Sequence, residues 1–325
     1  MQAGTDFVHV ILTRFNLATP GRESTIRNQP GWLDGRFALF ERYCLPTLAA
    51  QTAKRFRWIV YFDDATPAAF RARVEACRRV AGFHPYYTAM FPGERWPVSV
   101  REVLGAAAAP WLLTTRLDND DGLAVDFVAR VQAAVAAAPP RPGVFNLTEG
   151  YVFDGRRAYA HSHPSNAFAS LLEPWEGART IVATPHMELA AAGPLTQIGG
   201  PGGWLQVVHG GNVSNKVRGR RVPPAGLAGR FPASIDLGAP ASAAAVAAEN
   251  LFVAPLRAAR DRAAGLLRRL RRHARGARNG GFRTRNSRQV MDAEGGCLRQ
   301  FRRGRRRGRA RPADAAGRRP SGEKS

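Results

Sequence analysis

Short apolar runs and longer stretches of helical periodicity alternate along the first 140 residues. The runs predicted to be buried strands are FVHVILTRF (7–15), FRWIVYF (56–62), the weaker YYTAMF (86–91) and WLLTTRL (111–117). The stretches with helical spacing cover residues 32–52, 67–80, 98–109 and 125–138. Strands that alternate with helices in this way predict an α/β fold with a mostly parallel central sheet and flanking helices. Asp34 is the predicted N-cap of the first helix and Thr66 that of the second, with Pro67 at its first helical position.

The pattern changes after residue 142. Residues 143–162 alternate between apolar and polar positions around Asp154-Gly155, which predicts two strands joined by a hairpin. Further on, the sequence indicates a short helix over 165–174, a glycine-rich loop over 193–204 and a strand that begins at Trp204. Because proline, glycine and alanine dominate from about residue 219, we place the end of the folded domain at residue 235.

Three carboxylates crowd the stretch TRLDNDDGL (115–123), where Asp118, Asp120 and Asp121 follow the fourth predicted strand. Two carboxylates about 4 Å apart repel by roughly 4 kcal/mol at an effective dielectric near 20, so this turn requires a counter-charge. Arg14 and the pair Asp63-Asp64 also stand where predicted strands end. In parallel α/β sheets ligands bind beyond the carboxyl ends of the strands, so we expect these residues to share one site.

Four interpretations of the acidic turn can be compared. An EF-hand loop that starts at Asp118 would need glycine sixth and glutamate twelfth, but glycine is fifth and Ala129 is twelfth. A phosphatase-type nucleophile would be followed by Thr or Val, whereas Gly122 follows here. A turn that caps the next helix would explain Asp121 or Asp126 alone. A divalent cation, Mg²⁺ or Mn²⁺, held by Asp118 and Asp120 together with substrate phosphates explains the crowding best.

The triplet Asp118-Asn119-Asp120 resembles the DxD motif of GT-A glycosyltransferases. Five segments in order extend this resemblance to the bacterial rhamnosyltransferase family over residues 7–215, namely ILTRFN, WLDGRFALFERYCLPTLAAQT, FRWIVYFDD, TRLDNDDGL and WLQVVHGGNVSN. The resemblance implies a GT-A-like domain over 1–235, with a nucleotide-binding half over about 1–125 and an acceptor-binding half over about 126–235.

Roles for individual residues follow from this resemblance. The metal would be bound by Asp118, Asp120 and a late histidine, His209. The nucleotide would be contacted by Asp63 or Asp64, while Arg14 and Arg116 would contact phosphate, unless Arg116 instead neutralises the acidic turn. An inverting transfer also needs a general base, for which Glu173, His186 and Glu188 are the candidates, with Asp154 and His161 next.

The net charge of +23 is concentrated at the C-terminus. Residues 251–325 hold 23 of the 48 Lys and Arg and 5 of the 25 Asp and Glu residues, and therefore carry +18. Residues 236–325 are predicted to form a Pro/Ala/Arg-rich linker, an amphipathic basic helix over about 256–275 and a disordered tail. Such a helix suits an anionic membrane surface better than nucleic acid, because the tail has few aromatic residues to stack on bases.

Cellular context is inferred from features that are missing from the sequence. Three cysteines, Cys44, Cys77 and Cys297, show no metal-ligand spacing and suggest reduced thiols. Neither a signal peptide nor a membrane-spanning apolar run is recognisable, so we expect a cytoplasmic protein, peripheral at the inner face of the membrane through its tail.

These observations predict a metal-dependent glycosyltransferase. It would move a sugar such as rhamnose from a nucleotide-diphosphate donor to a glycan or lipid acceptor. The alternative is a catalytically silent α/β domain whose basic tail acts as an adaptor for membrane surfaces or nucleic acid. Metal-dependent nucleotide binding would distinguish the two.

Overall fold

The computed structural model describes residues 6–18, 26–27, 29–89, 95–105, 109–210, 216–264 and 267. It is an α/β structure with two sheets and flanking helices, as the alternating pattern predicted. None of the helices in this described part is long and apolar enough to cross a bilayer.

The larger sheet has seven strands in the order β10-β6-β9-β4-β1-β2-β3. Its strands are β1 Phe7–Arg14, β2 Arg57–Asp63, β3 His84–Thr88, β4 Trp111–Arg116, β6 Gly143–Leu147, β9 Ser170–Pro174 and β10 Leu195–Ile198. Only β9 runs against its neighbours, since it is antiparallel to both β4 and β6 while the other described pairs are parallel. The carboxyl ends of β1, β2 and β4 therefore lie at one edge, where the predicted site residues stand.

The smaller sheet begins directly after the acidic turn and has the order β12-β8-β7-β11-β5. Its strands are β5 Gly122–Leu123, β7 Glu149–Phe153, β8 Ala158–Ser162, β11 Trp204–Val207 and β12 Arg220–Val222. The predicted hairpin joins β7 and β8, and Asp154 Oδ1 accepts the backbone N–H groups of Arg156 and Arg157 at its turn. Since β11 pairs with both β5 and β7, this sheet reaches the acidic turn.

Among the described residues, the longer helices lie between or after the first strands and after the smaller sheet. Helix α1 covers residues 32–49, α2 is Ala68–Ala81, α3 is Arg95–Leu104, α4 is Phe127–Ala136, and α5 runs from Ala243 to residue 264. Helices α1 and α5 each contain a π-helical stretch, Phe40–Cys44 and Glu249–Val253. Each of the first four overlaps a predicted helix: α1 begins at the predicted residue, and the other ends are displaced by one to five residues.

Both predicted helix caps are wrong. Helix α1 follows Gly31, whose φ of 74° is a left-handed conformation natural to glycine, so Asp34 lies within the first turn instead of capping it. Helix α2 is preceded by Pro67 at the cap, and the Thr66 hydroxyl donates to the carbonyl of Asp63. Thr66 therefore closes the turn after β2 and does not start the helix.

Three predictions in the second half of the chain also need correction. The short helix over 165–174 is strand β9, which lies between β4 and β6. A short apolar run does not distinguish a buried strand from a helix. Here the segment is a strand because it fills the position between β4 and β6 and forms hydrogen bonds with both. The glycine-rich loop over 193–204 contains β10.

The third correction concerns the linker predicted from residue 236. Helix α5 belongs to the same compact unit as the sheets. Asn250 makes two hydrogen bonds to the backbone of Arg221 in β12, of 2.7 and 2.9 Å, and Glu249 is buried against Arg221 and Arg157. The first part of the predicted basic helix, residues 256–264, is helical, while its remainder and the predicted disordered tail lie outside the described residues.

An aromatic cluster supports the edge of the larger sheet where β1 and β2 end. The ring of Phe15 lies 4.6 Å from that of Phe37 on α1 and 4.8 Å from that of Phe62 on β2. All three side chains are almost fully buried. Ring pairs at such distances are worth about 0.5–1.5 kcal/mol beyond the area they bury, so they fix α1 against the strand ends.

Polar side chains cross the middle of the larger sheet at His9. Its Nε2 lies 2.8 Å from Thr115 Oγ1 on β4, which in turn lies 2.6 Å from Ser170 Oγ on β9. Burial lowers the pKa of His9 from 6.5 to about 3. The ring is therefore neutral in the folded protein down to a low pH.

Acid should destabilise the protein partly through His9. Because its pKa is depressed on folding, only the unfolded chain takes up this proton between pH 6.5 and about 3, and stability falls as pH decreases through that window. At pH 5 we expect a contribution of about 2 kcal/mol relative to pH 8. Urea unfolding of His9→Gln should show a correspondingly shallower pH dependence, with His84→Gln as the surface control. Equal slopes for wild type and His9→Gln would show that His9 is not neutral in the fold.

Candidate functional site

The acidic turn is attached to the end of β1 by Asn119. Its amide nitrogen donates to the carbonyls of Arg14 and Phe15, both at 2.8 Å. The side chain is buried. Asn119 is not among the predicted site residues, although an amide between two acids offers donors that carboxylates lack. This residue sets the position of the aspartates on either side of it.

Asp120 is bonded to a positively charged group from a distant helix. Its Oδ2 accepts from Arg36 Nη1 at 2.8 Å and from His209 Nε2 at 2.8 Å. Burial alone would raise the pKa of Asp120, but the hydrogen bond from His209 and the charge of Arg36 outweigh it and hold this pKa below its ordinary value. Arg36 also donates to Asn119 Oδ1 at 3.2 Å. Helix α1 is thus joined directly to the acidic turn.

Asp118 has a different environment. Burial and then the charge of Asp120 raise its pKa, while the charges of Arg14, Arg116 and His186 oppose the rise. Arg116 Nη2 donates to the carbonyl of Ile181 at 2.6 Å and to that of Thr184. These bonds hold the segment that leads to His186 against the site, so Arg116 acts on both the acidic turn and this segment.

Asp121 connects the turn to the smaller sheet. Its Oδ1 accepts the backbone N–H of Val207 at 2.8 Å, at the end of β11 and two residues before His209. Burial, followed by the charges of Asp120 and Asp118, raises the pKa of Asp121 well above its ordinary value. The interpretation of Asp121 as a cap of the next helix is therefore wrong.

Asp126, the other residue considered for that cap, stands at the N-terminus of α4 but makes no capping bond with its side chain. Its carboxylate instead forms a bidentate pair with Arg230, with distances of 2.7 and 3.0 Å. The acidic turn therefore does not serve as the start of α4.

The charges of the turn are balanced by protein side chains. Three arginines lie near the three aspartates, namely Arg14 from β1, Arg36 from α1 and Arg116 from β4. Arg36 forms a contact ion pair with a side chain only 17% exposed, whereas the other two act through their proximity to Asp118. The counter-charge that the sequence required is thus present as guanidinium groups.

A divalent cation fits this arrangement poorly. No group of three or more His, Cys, Asp or Glu side chains in the described part of the chain is arranged to hold a metal ion. Two of the predicted ligands, Asp120 and His209, are hydrogen-bonded to each other, and Arg36 occupies the same carboxylate oxygen. The predicted Mg²⁺ or Mn²⁺ site remains a prediction that these contacts do not support.

The two acids at the end of β2 differ in environment. The buried Asp63 is paired with Arg27 and accepts the backbone N–H of Ala65 at 2.8 Å. Burial would raise the pKa of Asp63, but this N–H and Arg27 lower it below its ordinary value. Asp64 is exposed beside it. Asp63 is therefore the fixed carboxylate at this edge, although the contact of either residue with a nucleotide remains a prediction.

Glu173 lies at the opposite end of the sheet from the acidic turn. It pairs in register with Leu112 at the start of β4, about 20 Å along the strand from Asp118. Its Oε2 accepts the backbone N–H groups of Arg179 and Thr180, the latter with a strained φ of 70°. Glu173 therefore stabilises a turn, and this position does not support its predicted role as the base.

The other two candidates for the base share one short segment, the 3₁₀ stretch His186–Ala191. His186 is near enough to Arg116 and Asp118 for their charges to act on it. The residue is exposed overall, yet desolvation of its ring and then Arg116 lower its pKa, so the neutral form prevails at pH 7. Glu188 is exposed two residues further on. Of the predicted bases, His186 is the one that the structure places beside the acidic turn.

Loss of the Arg36 charge should destabilise the fold measurably. Arg36→Gln leaves Asp120 with less compensation, and we expect a loss of about 2 kcal/mol in the free energy of unfolding, below the value for a fully buried pair because Arg36 is partly exposed. Arg42→Gln breaks an exposed pair with Asp236 and should cost about 0.5 kcal/mol or less. Urea unfolding of both variants and of Arg36→Gln/Asp120→Asn provides the measurement, and the double variant should recover part of the loss. Equal losses for Arg36→Gln and Arg42→Gln would contradict the charge balance.

The solved structures that this chain resembles, at low similarity, include nucleotide-sugar and nucleotidyl transferases. TarS from S. aureus in complex with UDP-GlcNAc is 14% identical to this chain, with a TM-score of 0.40. The match covers 66% of this chain and 62% of the TarS chain. HddC from Yersinia pseudotuberculosis is 7% identical, with a TM-score of 0.32. That match covers 61% of this chain and 92% of the HddC chain. The chain spans 61 to 62% of the length of the TarS structures with bound nucleotide.

The sequence itself gives the more decisive comparison. No curated protein matches it. The family model described as "Putative rhamnosyl transferase" matches residues 8–221, which include the acidic turn, both β2 acids and His209. The chain therefore belongs to this rhamnosyl transferase family.

Proposed function

We propose that this protein is a nucleotide-sugar glycosyltransferase with a GT-A-like fold, and that its sugar is rhamnose, in keeping with the family description. The observation that carries the proposal is the meeting of Asp118, Asp63 and Arg14 at the carboxyl ends of three adjacent parallel strands. In open α/β sheets this edge is where nucleotides bind. Family membership supports the proposed class of reaction, and the residues at the strand ends support the proposed position of the donor site.

The donor would bind across the ends of β1, β2 and β4. Asp63, held in place by Arg27 and the Ala65 N–H, would accept a hydrogen bond from the ribose or base. Arg14 is exposed at the end of β1 and would pair with the diphosphate. Arg36 lies at the same edge on Asp120 and adds positive charge where negative charge grows on the departing diphosphate.

His186 would act as the general base. In the transfer, its neutral ring takes the proton from an acceptor hydroxyl while that oxygen bonds to the anomeric carbon of the sugar. The bond from this carbon to the diphosphate breaks, and its electron pair leaves with the phosphate. Arg116 holds the His186 segment in place through the carbonyls of Ile181 and Thr184. Desolvation and then the charge of Arg116 lower the pKa of the His186 ring. No step in this scheme depends on a metal ion.

Turnover should therefore depend on His186. With UDP-, GDP- and dTDP-sugars as test donors, we expect metal-independent release of nucleoside diphosphate by the wild type. His186→Asn should lower kcat by about 10² to 10⁴ without weakening the donor affinity, which is the signature of a lost proton acceptor. Calorimetric titration with the nucleoside diphosphate measures that affinity separately.

His84→Asn, at the start of β3, is the matched histidine control and should retain normal turnover. Glu188→Gln tests the remaining candidate on the same segment. A normal kcat for His186→Asn combined with loss of activity in Glu188→Gln would transfer the role of the base to Glu188. Release of nucleoside diphosphate from none of the donors would contradict the proposed function itself.

A further inference from the structure

A second cavity lies between β12 and helix α5, apart from the acidic turn. Its volume is about 570 Å³, and most of its wall is apolar. Four arginines line it, Arg218, Arg220, Arg257 and Arg262, against a single carboxylate, Asp261. A mostly apolar cavity of this size with a few charged groups is typical of a site for a small amphiphilic ligand.

One of these arginines serves the fold and the others are available to a ligand. Arg257 stacks over Tyr159 at 4.6 Å and donates to the carbonyl of Gly219. Among the residues that the structure describes, no carboxylate lies within ion-pairing distance of Arg218, Arg220 or Arg262. Asp261 is paired with Lys216 and Arg260. The cavity therefore presents an excess of positive charge, which suits a phosphate group.

Large apolar side chains are exposed on the same helix. Of the seven such residues in the described chain, four lie on α5, between Leu251 and Leu256. Leu251 is 68%, Phe252 64% and Leu256 72% exposed. Exposed apolar side chains beside arginines are characteristic of helices that lie in the surface of an anionic bilayer. These side chains do not line the cavity, whose apolar wall is formed by Val217, Ala254, Pro255 and Ala258.

The cavity is also connected with the proposed active site. His161, one of its lining residues, has its ring 5.8 Å from that of His163. His163 Nδ1 accepts the backbone N–H of Ser165 at 3.0 Å, and the Ser165 hydroxyl donates to the carbonyl of His186. A short series of protein contacts thus links the wall of the cavity to the segment that carries the proposed base.

We propose that this cavity binds the phosphate group of a lipid-linked acceptor, whose hydrocarbon chain begins against Val217, Ala254, Pro255 and Ala258. The assignment as an acceptor site rests on the proposed function. Arg218 and Arg220 hold the phosphate, and the apolar wall covers the first carbons of the chain. The hydroxyl to be glycosylated then extends past His161 and His163 toward His186.

Farnesyl phosphate below its micelle concentration is a suitable probe for the full-length protein. We expect Arg218→Gln/Arg220→Gln to weaken its binding at least tenfold in calorimetric titration. Arg156→Gln is the matched control, because Arg156 is exposed at the turn between β7 and β8 and does not line the cavity, and it should change the affinity less than twofold. Since all variants retain the same basic tail, only the difference between them reports on the cavity.

The ligand chemistry is tested with three further probes. Farnesol and inorganic phosphate should each bind at least tenfold more weakly than farnesyl phosphate, and Val217→Asn/Ala258→Asn, which changes the apolar wall, should weaken only the probes with a hydrocarbon chain. Unchanged binding of farnesyl phosphate by the double arginine variant would overturn the proposal. The proposal would also be overturned if the double arginine variant bound farnesyl phosphate normally but no longer bound phosphatidylcholine vesicles that contain phosphatidylglycerol. The arginines would then serve a bilayer surface.

The proposed function is tested independently by donor hydrolysis in the wild type. Binding of farnesyl phosphate at the cavity by a protein that hydrolyses no nucleotide sugar would overturn the assignment as an acceptor site while the cavity remains a lipid-phosphate site. Hydrolysis of the donor without any binding of farnesyl phosphate would overturn the cavity proposal alone.

Discussion

The site depends on neutralising three carboxylates within four residues. Asp118, Asp120 and Asp121 are placed together at the end of β4, and the fold must supply positive charge or protons to each. Arg36 on α1 supplies a contact ion pair, His209 after β11 adds a hydrogen bond to the same oxygen, and burial favours the protonated form of Asp121. One local charge problem therefore joins a helix, the larger sheet and the smaller sheet at a single point.

The sequence predicted those parts of the site that depend on local pattern. Apolar runs identified β1, β2 and β4, and the rule that ligands bind at the carboxyl ends of parallel strands placed Asp63 and Asp118 at one edge. The partners of these acids were not predictable, because Arg36 lies 84 positions before Asp120 and is one of many arginines in the chain. Such pairs arise from tertiary packing, and no spacing in the sequence encodes them.

The errors share a related physical origin. Strands β9 and β10 are short and their sequences are ambiguous, so their state is decided by the strands beside them and not by their own pattern. Glu173 is a candidate base because its segment resembles the family, but the antiparallel pairing of β9 with β4 places it at the opposite end of the sheet from the acidic turn. The orientation of one strand thus removed one candidate, while the loop after it brought His186 to the site.

Nucleoside diphosphate binding decides whether arginines or a metal ion balance the acidic turn at the donor site. UDP, GDP and dTDP would be titrated into wild type and Asp120→Asn, in EDTA and in Mn²⁺. If arginines balance the turn, the preferred diphosphate binds in EDTA and binds Asp120→Asn at least as tightly, because Arg36 is released toward the phosphates. Binding that requires Mn²⁺ and disappears in Asp120→Asn would instead restore the metal site.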